Sequence, residues 1–158
     1  MRKLLTTFLF VSLAILLVIS PAIRDNVLLG KDTMSKEDLA KLMKEIEEFN
    51  KKMGFDTSMP INGRRLTNLG IFRKYLESYL KENPSISSEA TQMVRQLQPT
   101  ERGIPVEIYC FSAEKAWVIY EGVQADLFDH VLASVTQFEL RIFQNPSGVD
   151  FQKLIPNT

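Results

Sequence analysis

The start of the chain constrains its fold more than anything after it. From Leu4 to Ile23 no side chain carries a charge, while Arg2 and Lys3 precede the run and Arg24 follows it. A helix rises about 1.5 Å per residue, so about twenty residues cover the ~30 Å of a bilayer core. The run therefore predicts one N-terminal hydrophobic helix, either a membrane anchor or a signal segment. The signal pattern is partial: a basic start, an apolar centre, and small residues Ser20 and Ala22 around Pro21. The length criterion is met in full, which favours the anchor. Arg24, Lys31, Lys36 and Lys41 follow the run and lean toward a cytoplasmic C-terminal side, an inclination that Arg2, Lys3 and the amino terminus partly offset.

The whole chain has 158 residues, enough for one domain and an appendage. Its 19 basic and 19 acidic side chains cancel. That balance argues against nucleic-acid binding, which ordinarily shows a basic surplus, and against an acidic solvating tail. Cys110 is the single cysteine, which excludes an intramolecular disulfide framework and a cysteine-built zinc site. The pattern divides the chain into a hydrophobic membrane anchor or signal segment (1–30), an amphipathic helix with its linker (31–60), an α+β domain (61–151) and a tail (152–158).

Periodicity predicts the elements. Leu39, Leu42, Met43, Ile46, Phe49 and Met53 recur at helical spacing over residues 35–53. Ser35 can cap that helix with Asp38 three residues on, Met34 and Leu39 are placed as a hydrophobic staple, and Gly54 can end it. This helix either contacts a neighbouring subunit or packs on its own domain. Pro60, Asn62 and Gly63 mark a loop, after which Arg64, Arg65 and Leu66 are expected to form a short strand. Thr67 or Asn68 then caps a second helix with an apolar face of Leu69, Phe72, Leu76, Tyr79 and Leu80, stopped by Asn83-Pro84. Two strands follow, over 91–98 and 104–111. In the second, Ile104, Val106, Ile108 and Cys110 share one face, and Glu107 and Tyr109 the other. Ser112 is placed to cap a third helix running to about 134, its stripe made by Ala116, Ile119, Tyr120, Val123, Leu127, Val131 and Val135, with Trp117 beside it. A last strand is expected over 138–143. The order strand, helix, strand, strand, helix, strand is the split β-α-β pattern of ferredoxin-like domains. Both helices should cover one face of the sheet and leave the other to solvent or a partner.

Few residues suggest chemistry. Asp126, Asp129 and His130 stand at i, i+3 and i+4, a spacing that can converge on a metal. With no second ligand cluster, a solvated face is the better reading. Ser112, His130 and Asp126 supply the residue types of a hydrolase triad, but no Gly-x-Ser-x-Gly elbow accompanies them and His130 is the only histidine. Neither an activated nucleophile nor a phosphate loop is evident. The expectation is therefore a protein that is not an enzyme, with no catalytic, cofactor or metal residue. Arg64 and Arg65 could meet an anionic headgroup or acidic partner, although local pairing is the commoner fate of such a step. Cys110, alternating with apolar residues, reads as a small core residue.

Four blocks are distinctive: Asn62-Gly63-Arg64-Arg65-Leu66-Thr67-Asn68-Leu69-Gly70 with Phe72-Arg73; Val94-Arg95-Gln96-Leu97-Gln98-Pro99-Thr100 with Gly103-Ile104-Pro105 and Glu107-Ile108-Tyr109; Gln124-Ala125-Asp126-Leu127-Phe128-Asp129-His130-Val131-Leu132-Ala133; and Phe143-Gln144-Asn145-Pro146-Ser147-Gly148. Together, over roughly 46–151, they resemble the C-terminal cytoplasmic domain of the small-conductance mechanosensitive channel family, in its bacterial miniconductance branch. The resemblance implies a heptameric channel of the bacterial inner membrane that opens under tension in hypoosmotic shock, with its C-terminal domains forming a cytoplasmic cage. The family's glycine- and alanine-rich pore helix and the small β-domain after it have no counterpart here. Residues 4–23 hold Ala14 and Ala22 and no glycine, so they lack the small residues that let helices pack closely around a pore. No pore residue is carried over. The expectation is a truncated or split relative, an anchored accessory subunit joining a full-length channel, or a cage domain reused as a protein-binding module. Its partners would be membrane lipid through the N-terminal segment and either copies of itself or a full-length channel.

Overall fold

The computed structural model describes residues 8–16, 36–148 and 150, with the backbone alone described for 8–16 and Lys36. It is an α+β protein. In chain order the elements are β1 (Phe8–Leu16), α1 (Lys36–Lys52), α2 (Asn68–Glu82), β2 (Met93–Gln96), β3 (Ile104–Phe111), α3 (Trp117–Val135) and β4 (Arg141–Ile142). The strands form one antiparallel sheet in the order β2-β3-β1-β4.

The N-terminal run departs most from expectation. Where a helix was expected, Phe8–Leu16 form a strand between β3 and β4. Leu9, Val11, Leu13 and Ile15 stand opposite Cys110, Ile108, Val106 and Ile104. A continuous apolar run shows that a segment avoids water, but not which backbone it adopts. Phe8, Phe10, Val11 and Ile15 are residue types that suit a pleated surface. Among the described residues, no helix is long and apolar enough to cross a membrane. The flanks of the run at 4–7 and 17–23, the basic residues Arg2, Lys3, Arg24 and Lys31, the Ser35 cap, the Met34 staple and the tail 152–158 lie outside the described residues.

The strand expected at Arg64, Arg65 and Leu66 does not form; these residues lie in a loop, and β1 pairs with β3 in the sheet. The second helix is as expected. Thr67 has extended backbone and its Oγ1 accepts from the Gly70 amide at 3.0 Å, while Leu69, Ile71, Phe72, Leu76 and Leu80 are buried. The third helix begins four residues later than expected. Its N-cap is Ala116, which makes no side-chain bond, and Ser112 Oγ instead accepts from the Glu114 amide. Tyr120, Val123, Leu127, Val131 and Val135 are buried as expected, but Ala116 and Ile119 are exposed. Only Arg141–Ile142 of the last strand pairs. Before it, Thr136–Phe138 make a 3₁₀ turn and Glu139 takes a left-handed φ of 56°, which still leaves Phe138 and Leu140 in the core.

The core lies between the helices and the face of β3 carrying Val106, Ile108 and Cys110, with Phe72, Leu76, Leu80 and Leu127 filling it. The opposite face of β3 is not bare. Phe111 is buried, and Glu107 is 2% exposed. Glu107 stands opposite Arg95 of β2, whose Nε donates to its Oε2. An enclosed carboxylate is tolerated when it keeps an opposite charge and a hydrogen bond. The outer edge of β2 is partly closed as well, by Arg73 Nε donating to Val94 O at 3.3 Å.

Because the cost falls on the enclosed acid, removing only the cation should be worse than removing both charges. Arg95→Ala is expected to melt below the Arg95→Ala/Glu107→Gln double variant in a thermal scan. Equal melting temperatures would mean that the enclosed acid costs nothing once its cation is gone.

Candidate interaction surface

The residues that suggested chemistry do not come together as a reactive site. Asp126 and Asp129 are exposed, and no group of three metal-ligating side chains occurs among the described residues. His130 turns toward α2. Its Nε2 lies 2.7 Å from Tyr75 Oη, and its ring stacks on Tyr79 with centroids 3.7 Å apart and planes 5° from parallel. Tyr75 in turn packs on Phe138 at 5.1 Å. The histidine therefore ties α3 to α2 through an aromatic stack, and its partial burial holds its pKa below the usual value. Ser112 uses its hydroxyl on the following turn. Cys110 is buried in β3, and desolvation pushes its thiol up to about 11, so little of it is thiolate near neutrality.

Arg64 and Arg65 are both engaged within the domain. Arg65 Nη2 donates to Thr57 O at 2.8 Å and to Met59 O at 2.7 Å, while the Arg64 guanidinium lies over the Phe49 ring at 5.1 Å. The backbone of Arg64 is held by Asn50, a buried polar residue near the end of α1. Asn50 Nδ2 donates to Arg64 O at 2.9 Å, and the Arg64 amide donates to Asn50 Oδ1 at 2.7 Å. A side-chain amide thus copies the two-way exchange of a strand pair. Next to it Gly63 has φ +72°, and a Cβ there would stand 2.6 Å from Asn50 Oδ1. Sequence reading placed Asn50 only within the helix. Its signal was a polar residue on the apolar stripe of α1, between Ile46 and Met53.

Several apolar side chains of α1 and of the loop held by this latch are exposed. On α1, Leu39 and Leu42 are buried, but Met43 and Met53 are about half exposed. The loop fixed by Asn50 and Arg65 adds Phe55, Met59 and Ile61, the last 85% exposed. A separate apolar step, Trp117, Val118 and Ile119, opens α3, with Val118 81% exposed. Scattered single apolar side chains are ordinary, whereas contiguous apolar patches mark contact surfaces. No protein-family model matches the chain.

Two measurements check this geometry. Asn50→Ala leaves the Arg64 amide and carbonyl without their partner and should cost about 2 kcal/mol in chemical denaturation. Gly63→Ala should cost about 1–2 kcal/mol from its left-handed backbone and more from the clash, and the double variant should cost less than the sum because the clash has gone. For His130, the lowered folded pKa means that the unfolded chain takes up the proton first. Its contribution is complete above the unfolded value near 6.5 and is lost as pH falls through the lower folded value. The melting temperature should therefore fall on acidification below about pH 6.5, and His130→Phe should flatten that part of the profile.

Proposed function

We propose that this protein is a membrane-associated assembly domain related to the cytoplasmic cage of small-conductance mechanosensitive channels. The exposed apolar side chains Met43 and Met53 of α1 and Phe55, Met59 and Ile61 of the loop after it carry the reading, since exposed apolar side chains on an ordered backbone suit contact with a partner. Three further facts support it. The antiparallel order β2-β3-β1-β4 fits the split β-α-β arrangement. The first sequence block coincides with the latched loop and the start of α2, where Asn50, Gly63 and Thr67 meet specific backbone needs. The second coincides with β2, its hairpin and β3, including the Arg95–Glu107 pair.

Under this reading the mechanism is association without a covalent step. Copies pack these apolar side chains against one another, or against a full-length channel, at a bacterial inner membrane to which the N-terminal run attaches them. A membrane-anchored protein-binding domain that works without a ring is the second reading; it uses the same side chains for a different partner.

The test is the native mass of the full chain extracted from membranes in mild detergent. A discrete ring near seven copies is expected, and Ile61→Asp should reduce the assembled fraction at least tenfold without lowering the melting temperature, because Ile61 contributes almost nothing to the core. A monomer that also ignores a full-length channel would sink the assembly reading.

A further inference from the structure

We infer that residues 8–16 serve two mutually exclusive sites, the gap between β3 and β4 and the interior of a lipid bilayer, so that membrane insertion of the N-terminal run unzips one edge of the sheet. The inference rests on the membrane association proposed above and adds its structural consequence.

The exclusivity follows from backbone hydrogen bonding. A spanning helix satisfies its N–H and C=O groups internally, four residues apart. In β1 the groups of Leu9, Val11, Leu13 and Ile15 are used sideways toward β3, opposite Cys110, Ile108, Val106 and Ile104, and the end of the strand, Ile15 and Leu16, pairs with β4. If β1 stays in the sheet, the uncharged run has only residues 4–7 and 17–23 outside the strand, and neither piece approaches the roughly twenty residues a span needs. The run is also longer than the sheet requires. The strand uses nine residues, yet charges are absent from Leu4 to Ile23, with Arg2, Lys3 and Arg24 at the two ends. A place in the sheet accounts for residues 8–16 but not for the uncharged flanks, whereas a bilayer core bounded by basic residues at the headgroups accounts for the whole length.

The groups uncovered by insertion can be named. Leu97 N–H donates to Pro105 O, so Pro105 faces β2. Antiparallel pairing alternates, which turns Glu107 and Tyr109 toward β2 and Ile104, Val106, Ile108 and Cys110 toward β1. Departure of β1 leaves those four amides without their partners. It also leaves β4, which among the described residues pairs only with β1, outside the sheet.

The experiment is amide hydrogen exchange on the full chain, first in detergent-free buffer and then bound to phosphatidylcholine–phosphatidylglycerol vesicles, with flotation to confirm binding. The amides of Val106, Ile108 and Cys110 are expected to be protected in buffer and to exchange about 100-fold faster or more on vesicles, while those of Glu107 and Tyr109 keep more of their protection. A second variant reads the competition directly. Leu9 stands opposite Cys110, and Cα atoms of a hydrogen-bonded antiparallel pair lie about 5.5 Å apart, within disulfide range. Leu9→Cys closed on Cys110 should stay off the vesicles and float with them again after reduction. Vesicle-bound chain with β3 fully protected, a locked chain that floats as well as the reduced one, or amides already unprotected in buffer would each overturn the exchange while leaving membrane attachment intact. A chain that never floats would overturn the inference and the membrane part of the proposed function together.

Discussion

β3 has to satisfy hydrogen bonds along both of its edges while most of its side chains are enclosed, and the other elements are arranged around that demand. On one edge, β2 pairs with it through Met93 to Gln96, and Leu97 continues the ladder by donating to Pro105 O. On the other, β1 matches it residue for residue from Phe8 to Ile15. One face carries Val106, Ile108 and Cys110 into the core beneath α2 and α3. The other holds Glu107, whose charge can be enclosed only because Arg95 lies directly across the ladder. Register is therefore fixed by chemistry as well as by hydrophobic patterning. A slip of one residue would send Glu107 into the apolar core and separate it from its cation.

A second constraint acts outside the sheet. Much of the apolar stripe of α1 is exposed, so packing alone does not explain how the following loop is held. Asn50 holds it through two hydrogen bonds to one backbone unit, Gly63 leaves room for that side chain, and Arg65 ties the loop to itself through two carbonyls. Fixing a loop by directional bonds leaves its apolar side chains facing outward. Met59 and Ile61 are exposed on a segment whose backbone is held, and ordered apolar groups lose less conformational entropy on association than mobile ones.

Much of the fold was legible from periodicity. α2, β3 and the buried stripe of α3 follow from apolar spacing, and the Thr67 cap follows from residue type. What could not be read depends on partners distant in sequence. Arg64, Arg65 and Leu66 look like a strand, but backbone pairing needs an open edge and β1 holds the place beside β3. Glu107 alternates like a solvent-facing residue, and its burial depends on Arg95 twelve positions earlier. Ser112 had the chemistry of a helix cap, yet it spends its hydroxyl on a turn while α3 starts at Trp117. Asn50 looked incidental on an amphipathic helix, and its role appears only once Arg64 is folded back onto it.

The N-terminal run shows why hydropathy alone underdetermines structure. An uncharged stretch reports that its surroundings must be apolar; it does not distinguish a lipid interior from a sheet that offers matching hydrogen bonds. Under the inference drawn above, residues 8–16 belong either to the sheet or to a longer membrane-inserted run, and the two differ in what they leave uncovered. Residues held in the sheet keep β3 paired on both edges. Residues drawn into a bilayer expose a strand edge on a domain that already presents exposed apolar side chains. Under the proposed reading those side chains are available in either condition, whereas the edge is available only at the membrane. Assembly contacts that use the β3 edge would then be confined to the membrane-bound form, because β1 covers that edge when it stays in the sheet.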